Sequence, residues 1–172
     1  MREQYFIDGY NIINSWPELS GRKDLSEARD WLVHVLAEYG AYQKVDIVVV
    51  FDALFTADEE HWEKKNAHFS IVYTGEGETA DSRIERLAYD AVRDGREVHV
   101  VTSDGAEQSV ILGAGAYRIP SLEFRRDVRQ VKKRIRDEYL GRIRLPYVRN
   151  EVTDHLDAST AAKLDALRKR RE

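Results

Sequence analysis

Short β-branched runs that end in aspartate alternate with helical segments along this chain, and this alternation restricts its fold more than any other feature. The runs at 4–8 (QYFID) and 45–52 (VDIVVVFD) both end in aspartate. Further strands are predicted at 69–73 and 97–102, with a short fifth at 116–119. A nearly continuous apolar run such as VDIVVVF is typical of a strand covered on both faces. The order of elements therefore predicts βαβ units and a central parallel sheet.

Two helices are indicated between the strands. Asp24 followed by Glu27 resembles a capping box, and the apolar spacing after it predicts a helix to about Gln43. Thr79 is placed to cap a second helix, which is expected to stop near Gly95.

A long amphipathic helix is predicted after Pro120 and is expected to end at Gly141. Its apolar stripe comprises Phe124, Val128, Val131, Ile135 and Tyr139. The cations off this stripe are Arg125, Arg126, Arg129, Lys132, Lys133 and Arg136. A connector and a charged helix from Thr153 are expected beyond it. We therefore expect one domain over 1–140, and a connector with a C-terminal helical extension over 141–172.

Charge is distributed unevenly along the 172 residues. Residues 1–117 hold 11 basic and 22 acidic side chains, residues 118–149 hold 11 and 4, and residues 150–172 hold 5 and 5. The net charges of the three blocks are −11, +7 and 0. An acidic body could hold cations while the basic segment meets polyanions; a solvated basic helix is the alternative for that segment.

Composition excludes several classes of site. The chain has no cysteine, so it can form neither a disulfide nor a thiolate site, and its five histidines are scattered. A metal would therefore bind mainly to oxygen. No apolar run approaches the ~20 residues of a membrane helix, and MREQYFID lacks the sections of a signal peptide. A cytoplasmic protein with no membrane partner is expected.

Polar side chains follow the predicted strands where each strand ends. Asp8 and Asn11 lie in IDGYN, Asp52 closes VVVFD, and Ser103 and Asp104 follow EVHVVT. Each segment also fits an ordinary turn or helix cap when it is taken alone.

Asp81 and Glu85 are four residues apart on the second predicted helix and share a face. Asp81 also suits the helix dipole, and Glu85 could pair with Arg86 or Arg83 at the surface. Taken together, however, strand-end acids and Asp81 converge on one edge of a parallel sheet, where four like charges repel. All-oxygen ligands suit Mg²⁺ or Mn²⁺, so metal-dependent phosphoryl chemistry is expected.

The sequence resembles the YacP-like branch of the NYN domains, within the PIN-like nuclease superfamily, over roughly residues 4–140. The resemblance rests on IDGYNIINSW, VVVFDA, YTGEGETADSRIE and VTSDGAEQSVILGAGA. It implies a PIN-like three-layer α/β/α domain and an endoribonuclease that cleaves single-stranded RNA. It also implies a bacterial mRNA-decay setting with the ribosome as a partner.

By position, the resemblance assigns the metal ligands to Asp8, Asp81 and Asp104. Asn11 and Ser103 match the asparagine of the motif and the small polar residue before the last aspartate, while Asp52 and Glu85 are supporting candidates. Many relatives have a second acid shortly after the third aspartate, whereas here the next acid is Glu107. One or two ions are both compatible with this pattern.

Two other functions could use a fold of this kind. A non-catalytic RNA- or ribosome-binding module would use the basic helix alone, with the acids serving as caps and turns. A small-molecule phosphatase is the second, but the chain has no DxDxT segment after the first strand and no Walker-type loop. Metal-dependent cleavage of RNA, compared with hydrolysis of a phosphate monoester, separates these functions.

Overall fold

The computed structural model describes residues 1–52, 60–103 and 115–143. Within these ranges one sheet contains the strands β1 (Gln4–Asp8), β2 (Asp46–Phe51), β3 (His61–Asn66), β4 (Phe69–Tyr73), β5 (Val98–Thr102) and β6 (Tyr117–Pro120). The helices of the same ranges are α1 (Gly9–Ser15), α2 (Pro17–Ser20), α3 (Leu25–Gln43), α4 (Ala80–Arg93) and α5 (Ser121–Ile143). The strand order is β3-β4-β2-β1-β5-β6, and every neighbouring pair is parallel except β3 with β4. The predicted α/β fold with a central parallel sheet is confirmed, with β3 added as an antiparallel edge strand.

Helices cover both faces of this sheet. One core packs α1, α2, α3 and α5 against the face that carries Ile7 and Val49. The other packs α4 against the face that carries Phe6 and Val50. Because alternate residues of β1 and β2 enter opposite cores, both strands are apolar almost throughout.

The apolar stripe predicted for α5 attaches that helix to the sheet. Its buried members are Phe124, Val128 and Val131. The Phe124 ring lies edge-on to Tyr39 of α3, with centroids 5.1 Å apart. Burial of a phenyl ring of this kind contributes about 1.5–3 kcal/mol. Tyr139, expected in the same stripe, is 64% exposed, so that part of the prediction is wrong.

Three details differ from the expectations. The helix α5 continues through Gly141 to Ile143, because one exposed helical glycine costs only about 1 kcal/mol. The segment after Asp8 forms the helix α1 rather than a simple turn. The edge strand β3 was not predicted, since its sequence HWEKKN lacks both a continuous apolar run and regular alternation.

The possible helix cap at Asp104, the predicted connector after residue 143 and the predicted C-terminal helix lie outside the described residues. The chain divides into one unit of residues 1–135 and a second of residues 136–172, of which only the end of α5 is described. Among the described helices, none combines the length and the apolar character needed to cross a membrane.

Candidate active site

Asp8 and Asp52 lie at the carboxyl ends of neighbouring parallel strands. Asp8 ends β1 opposite Val50 of β2, and Asp52 follows β2 directly. Alternation along the strands gives both aspartates the face that carries Phe6, which is the face covered by α4. Asp81 lies in the first turn of α4. The fold therefore brings three of the predicted acids to one edge of the sheet.

The Asp8 carboxylate is half-buried and is acted on by both other acids. Its Oδ1 accepts a hydrogen bond from the backbone N–H of Asn11 at 3.1 Å, which makes Asp8 the N-cap of α1. Burial raises the pKa of Asp8 to about 7; the hydrogen bond from Asn11 opposes this, while Asp81, through its charge and a side-chain hydrogen bond, and the charge of Asp52 add to it. Ionising all three groups is therefore costly unless a cation lies among them.

Asp52 connects the end of β2 to the start of α4. Its Oδ2 accepts a hydrogen bond from the backbone N–H of Ala80 at 3.3 Å. Thr79 is the N-cap of α4, and its Oγ1 accepts from the N–H of Ser82 at 3.2 Å, as its position in the sequence predicted. A carboxylate beside a helix N-terminus is favoured by the helix dipole. Asp52 thus holds the turn that carries Asp81 against the strand ends.

Asn11 and Ser103 form a reciprocal pair between α1 and the end of β5. The Asn11 amide donates from Nδ2 to Ser103 Oγ at 2.8 Å, and the Ser103 backbone N–H donates to Asn11 Oδ1 at 3.0 Å. This pair fixes the chain at the residue before Asp104. The structure therefore gives Asn11 an orienting contact at the same edge of the sheet.

An ion-pair network, which the sequence did not predict, holds the loop before α4. The Arg83 side chain is 7% exposed; its Nη2 lies 2.8 Å from Glu78 Oε2 and also pairs with Glu60. Arg86 pairs with the other oxygen of Glu78. The sequence does carry a sign of this role, because Arg83 falls on the apolar side of the helix beside Ile84.

One expected site residue, Glu85, is not joined to this group. Glu85 is exposed one turn after Asp81, and within the described residues it forms no hydrogen bond or ion pair. Its suggested partners, Arg83 and Arg86, bind Glu78 instead. Asp104 lies outside the described residues.

A second group of possible ligands lies at the opposite edge of the sheet. Glu3 and Glu97 precede β1 and β5, and His99 Nε2 is 3.2 Å from Glu3 Oε2 and 3.5 Å from Glu97 Oε1. The His99 ring stacks on Tyr5, with centroids 4.8 Å apart. Because β1 separates Glu3 from Asp8, this group is distinct from the three aspartates.

The six cations expected to bind RNA divide into two sets on α5. Arg125 Nη2 lies 2.7 Å from Glu18 Oε1, and the Nζ of Lys132 is 5.5 Å from the centroid of the Trp31 ring. The other four are exposed and lie within an arc of about 80° at ~100° per residue: Arg126, Arg129, Lys133 and Arg136. Two cations thus contact other side chains of the protein, and four form one outward stripe.

A mostly parallel α/β sheet with aspartates at its carboxyl edge is a nuclease-like architecture of the PIN type. The chain belongs to the YacP-like NYN domain family, whose profile matches residues 5–169. The match confirms the resemblance and extends it beyond residue 140.

The individual relatives are bacterial. The chain is 40% identical over 131 residues to the uncharacterised protein YacP of Bacillus subtilis (strain 168), covering 75% of this chain and 76% of the relative. It is similar to the crystal structure of Rae1 (YacP) from Bacillus subtilis, with a TM-score of 0.69, 34% identity, and coverage of 98% and 94% of the two chains. A point-mutant form of Rae1 gives a TM-score of 0.73 at 35% identity, with 96% and 99% covered.

Proposed function

We propose that this protein is a metal-dependent endoribonuclease that cleaves single-stranded RNA, including mRNA, in the cytoplasm and in association with the ribosome. The observation that carries the proposal is the convergence of Asp8, Asp52 and Asp81 at one sheet edge, where burial and mutual repulsion raise the pKa of Asp8 to about 7. Such a group is costly for a purely structural role, because one strand end needs only one capping acid.

The donor set fits a hard divalent cation. Carboxylate oxygens at a partly open site suit Mg²⁺ or Mn²⁺, which keep waters and bind phosphate. Asp8, Asp81 and Asp104 are the proposed ligands, and a cation held there would supply charge stabilisation and a more acidic water. Asp52 orients α4, and the pair of Asn11 with Ser103 orients the chain before Asp104.

Cation binding depends on the ionisation of Asp8. Its carboxylate must be ionised to bind a cation, so the cation and the proton compete for it near neutral pH. Asp81 is exposed and Asp8 is half-buried, so we expect an RNA phosphate to reach the acids from the side of Asp81.

The test is cleavage of an internally labelled single-stranded RNA in Mg²⁺, in Mn²⁺ and in EDTA. We expect cutting by the wild type only with metal, and loss of cutting in the Asp8→Asn, Asp81→Asn and Asp104→Asn proteins. Asp90→Asn is the matched control, since Asp90 is exposed farther along α4 from Asp81. Full cutting by the Asp8→Asn and Asp104→Asn proteins would overturn the catalytic assignment. Metal-independent RNA binding without cutting would favour the non-catalytic module.

The basic stripe of α5 is proposed to hold RNA phosphates, including ribosomal ones. Contacts with phosphate are electrostatic, so affinity should fall with salt. Each contact removed should flatten the slope of log affinity against log salt by ~0.7 for a single strand. Glu replaces Arg126, Arg129 and Lys133 in the test protein; the control carries the same charge change at Lys23, Arg93 and Arg134. Unchanged affinity, salt slope and ribosome co-sedimentation in the test protein would exclude this surface.

A further inference from the structure

The charged side chains on one face of the edge strand β3 pair with each other, and those on the other face do not. On one face, Lys65 Nζ lies 2.7 Å from Glu63 Oε2, and His61 Nε2 lies 3.6 Å from Glu63 Oε1. The His61 ring also stacks on Tyr73 of β4, with centroids 4.4 Å apart. These side chains bind one another and the sheet.

The other face of β3 presents an aromatic ring beside a cation. Trp62 is 50% exposed, whereas Trp16 in the core is 1% exposed. Lys64 is two residues further, on the same face, and is exposed. Within the described residues, Lys64 forms no ion pair or side-chain hydrogen bond. The indole of Trp62 and the ammonium group of Lys64 can thus contact one ligand on the same face of β3.

The register of the sheet places this face in line with the acidic site. Trp62 lies opposite Val72, Val72 opposite Val50, and Val50 opposite Asp8. Because directly paired residues share a face, Trp62 and Asp8 emerge on the same side. Three strand spacings separate their Cα atoms by roughly 14 Å. A few nucleotides of extended RNA span such a distance.

The Arg83 network fixes this strand relative to α4. Arg83 pairs with Glu60, which immediately precedes β3, and with Glu78, which precedes α4. Since both carboxylates are paired with arginine, they oppose an approaching phosphate backbone less than bare acids would. The network therefore ties the chain two residues before Trp62 to the helix α4 two residues after Asp81.

We infer that Trp62 and Lys64 form a nucleotide subsite that holds single-stranded RNA beside the aspartates, with a base stacked on the indole and a phosphate on the ammonium. This inference rests on the proposed function for its choice of RNA as the partner. Stacking on an aromatic ring accepts every base, so the subsite sets the position of the strand rather than its sequence. The paired face of β3 offers no comparable cation.

The experiment measures binding of a fluorescein-labelled single-stranded RNA by anisotropy in EDTA at low salt. We expect Trp62→Ala to weaken binding about fivefold or more, the lower end of what one stacked base contributes. Trp62→Phe should restore part of that loss, and Lys64→Ala should flatten the salt slope by ~0.7. His61→Ala and Lys65→Ala are matched controls on the opposite face and should bind as the wild type does.

Each outcome decides the point. The subsite is overturned if Trp62→Ala binds RNA as the wild type does, if His61→Ala loses as much affinity as Trp62→Ala, or if the wild type does not bind RNA. Urea unfolding midpoints identify any variant that binds poorly because it folds poorly. Binding in EDTA does not depend on cleavage. If Trp62→Ala binds weakly while the wild type cuts no RNA in Mg²⁺ or Mn²⁺, the endoribonuclease proposal fails and the subsite stands. If Trp62→Ala binds and cuts at the same positions as the wild type, only the subsite fails.

Discussion

Replacing Asp8 by asparagine should change how the stability of the metal-free protein depends on pH. The folded pKa of Asp8 is about 7, above its ordinary value of 3.8. Ionisation is therefore less favourable in the folded protein than in the unfolded chain. The resulting penalty is absent below pH ~4, grows as pH rises, and is complete above pH ~7.

The size of the penalty follows from the pKa. At ~1.4 kcal/mol per pKa unit, a rise from 3.8 to about 7 corresponds to roughly 4 kcal/mol. Because Asp8 is half-buried, water screens part of this, and about 2–3 kcal/mol is the reasonable expectation. Asparagine is as good an N-cap as aspartate, so the hydrogen bond to the Asn11 N–H should survive the substitution.

The assay is urea unfolding in EDTA between pH 4 and pH 8. The free energies of unfolding of Asp8→Asn and wild type should agree near pH 4, and the variant should exceed the wild type by about 2–3 kcal/mol at pH 8. Mg²⁺ should narrow that gap by stabilising the wild type alone. Asp90→Asn should show no such trend. If the difference in free energy of unfolding between Asp8→Asn and the wild type varied by less than about 0.5 kcal/mol across this pH range, the raised pKa of Asp8 would be refuted.

Three further substitutions test the supports of the site. Gly9→Ala should lower the free energy of unfolding by about 1–3 kcal/mol, because a Cβ there would overlap the buried Phe51 ring; Gly9→Ala unfolding as the wild type would contradict this packing. Arg83→Met should cost about 1–3 kcal/mol in urea unfolding, because Glu60 loses its arginine and Glu78 keeps only Arg86; the cost is less than for a fully buried pair because both carboxylates are partly exposed, and no loss would show that the network is not needed. Asn11→Ala should slow RNA cleavage ~10–100-fold with a much smaller loss of stability, and an equal effect of Ser103→Ala would show that their pairing matters.

The sequence predicted those parts of the fold that depend on local pattern. The bounds of β1 and β4 agree with the predicted runs, and Thr79 caps α4 as expected, because apolar runs and cap residues act over a few neighbours. The strand β3 was missed because its pairing with β4 is made by the backbone, and its side chains are mostly polar. The hydrophobic pattern of a sequence says little about an exposed edge strand of this kind.

The site shows the same division. Strand-end position indicated that Asp8 and Asp52 converge, but it did not reveal their different contacts. Asp52 bonds to Ala80 of a helix 28 residues later, and Asn11 bonds to Ser103 across 92 residues. Such contacts depend on tertiary arrangement, which spacing along the chain does not encode. The role of Gly9 is similar: glycine is required there by its close approach to the Phe51 ring, a tertiary contact that no local pattern predicts.

Hydrogen bonds from the backbone offset part of the repulsion among the clustered aspartates. Burial and the two neighbouring aspartates raise the pKa of Asp8, so the cluster of acids at this edge opposes folding. The fold offsets part of this by giving Asp8 and Asp52 backbone N–H donors at the starts of α1 and α4. Both donors lie at helix N-termini, where the helix dipole favours negative charge. The pKa of Asp8 is nevertheless raised, so these donors compensate only part of the repulsion among the acids. A bound cation would relieve the rest, and its binding should therefore raise the free energy of unfolding.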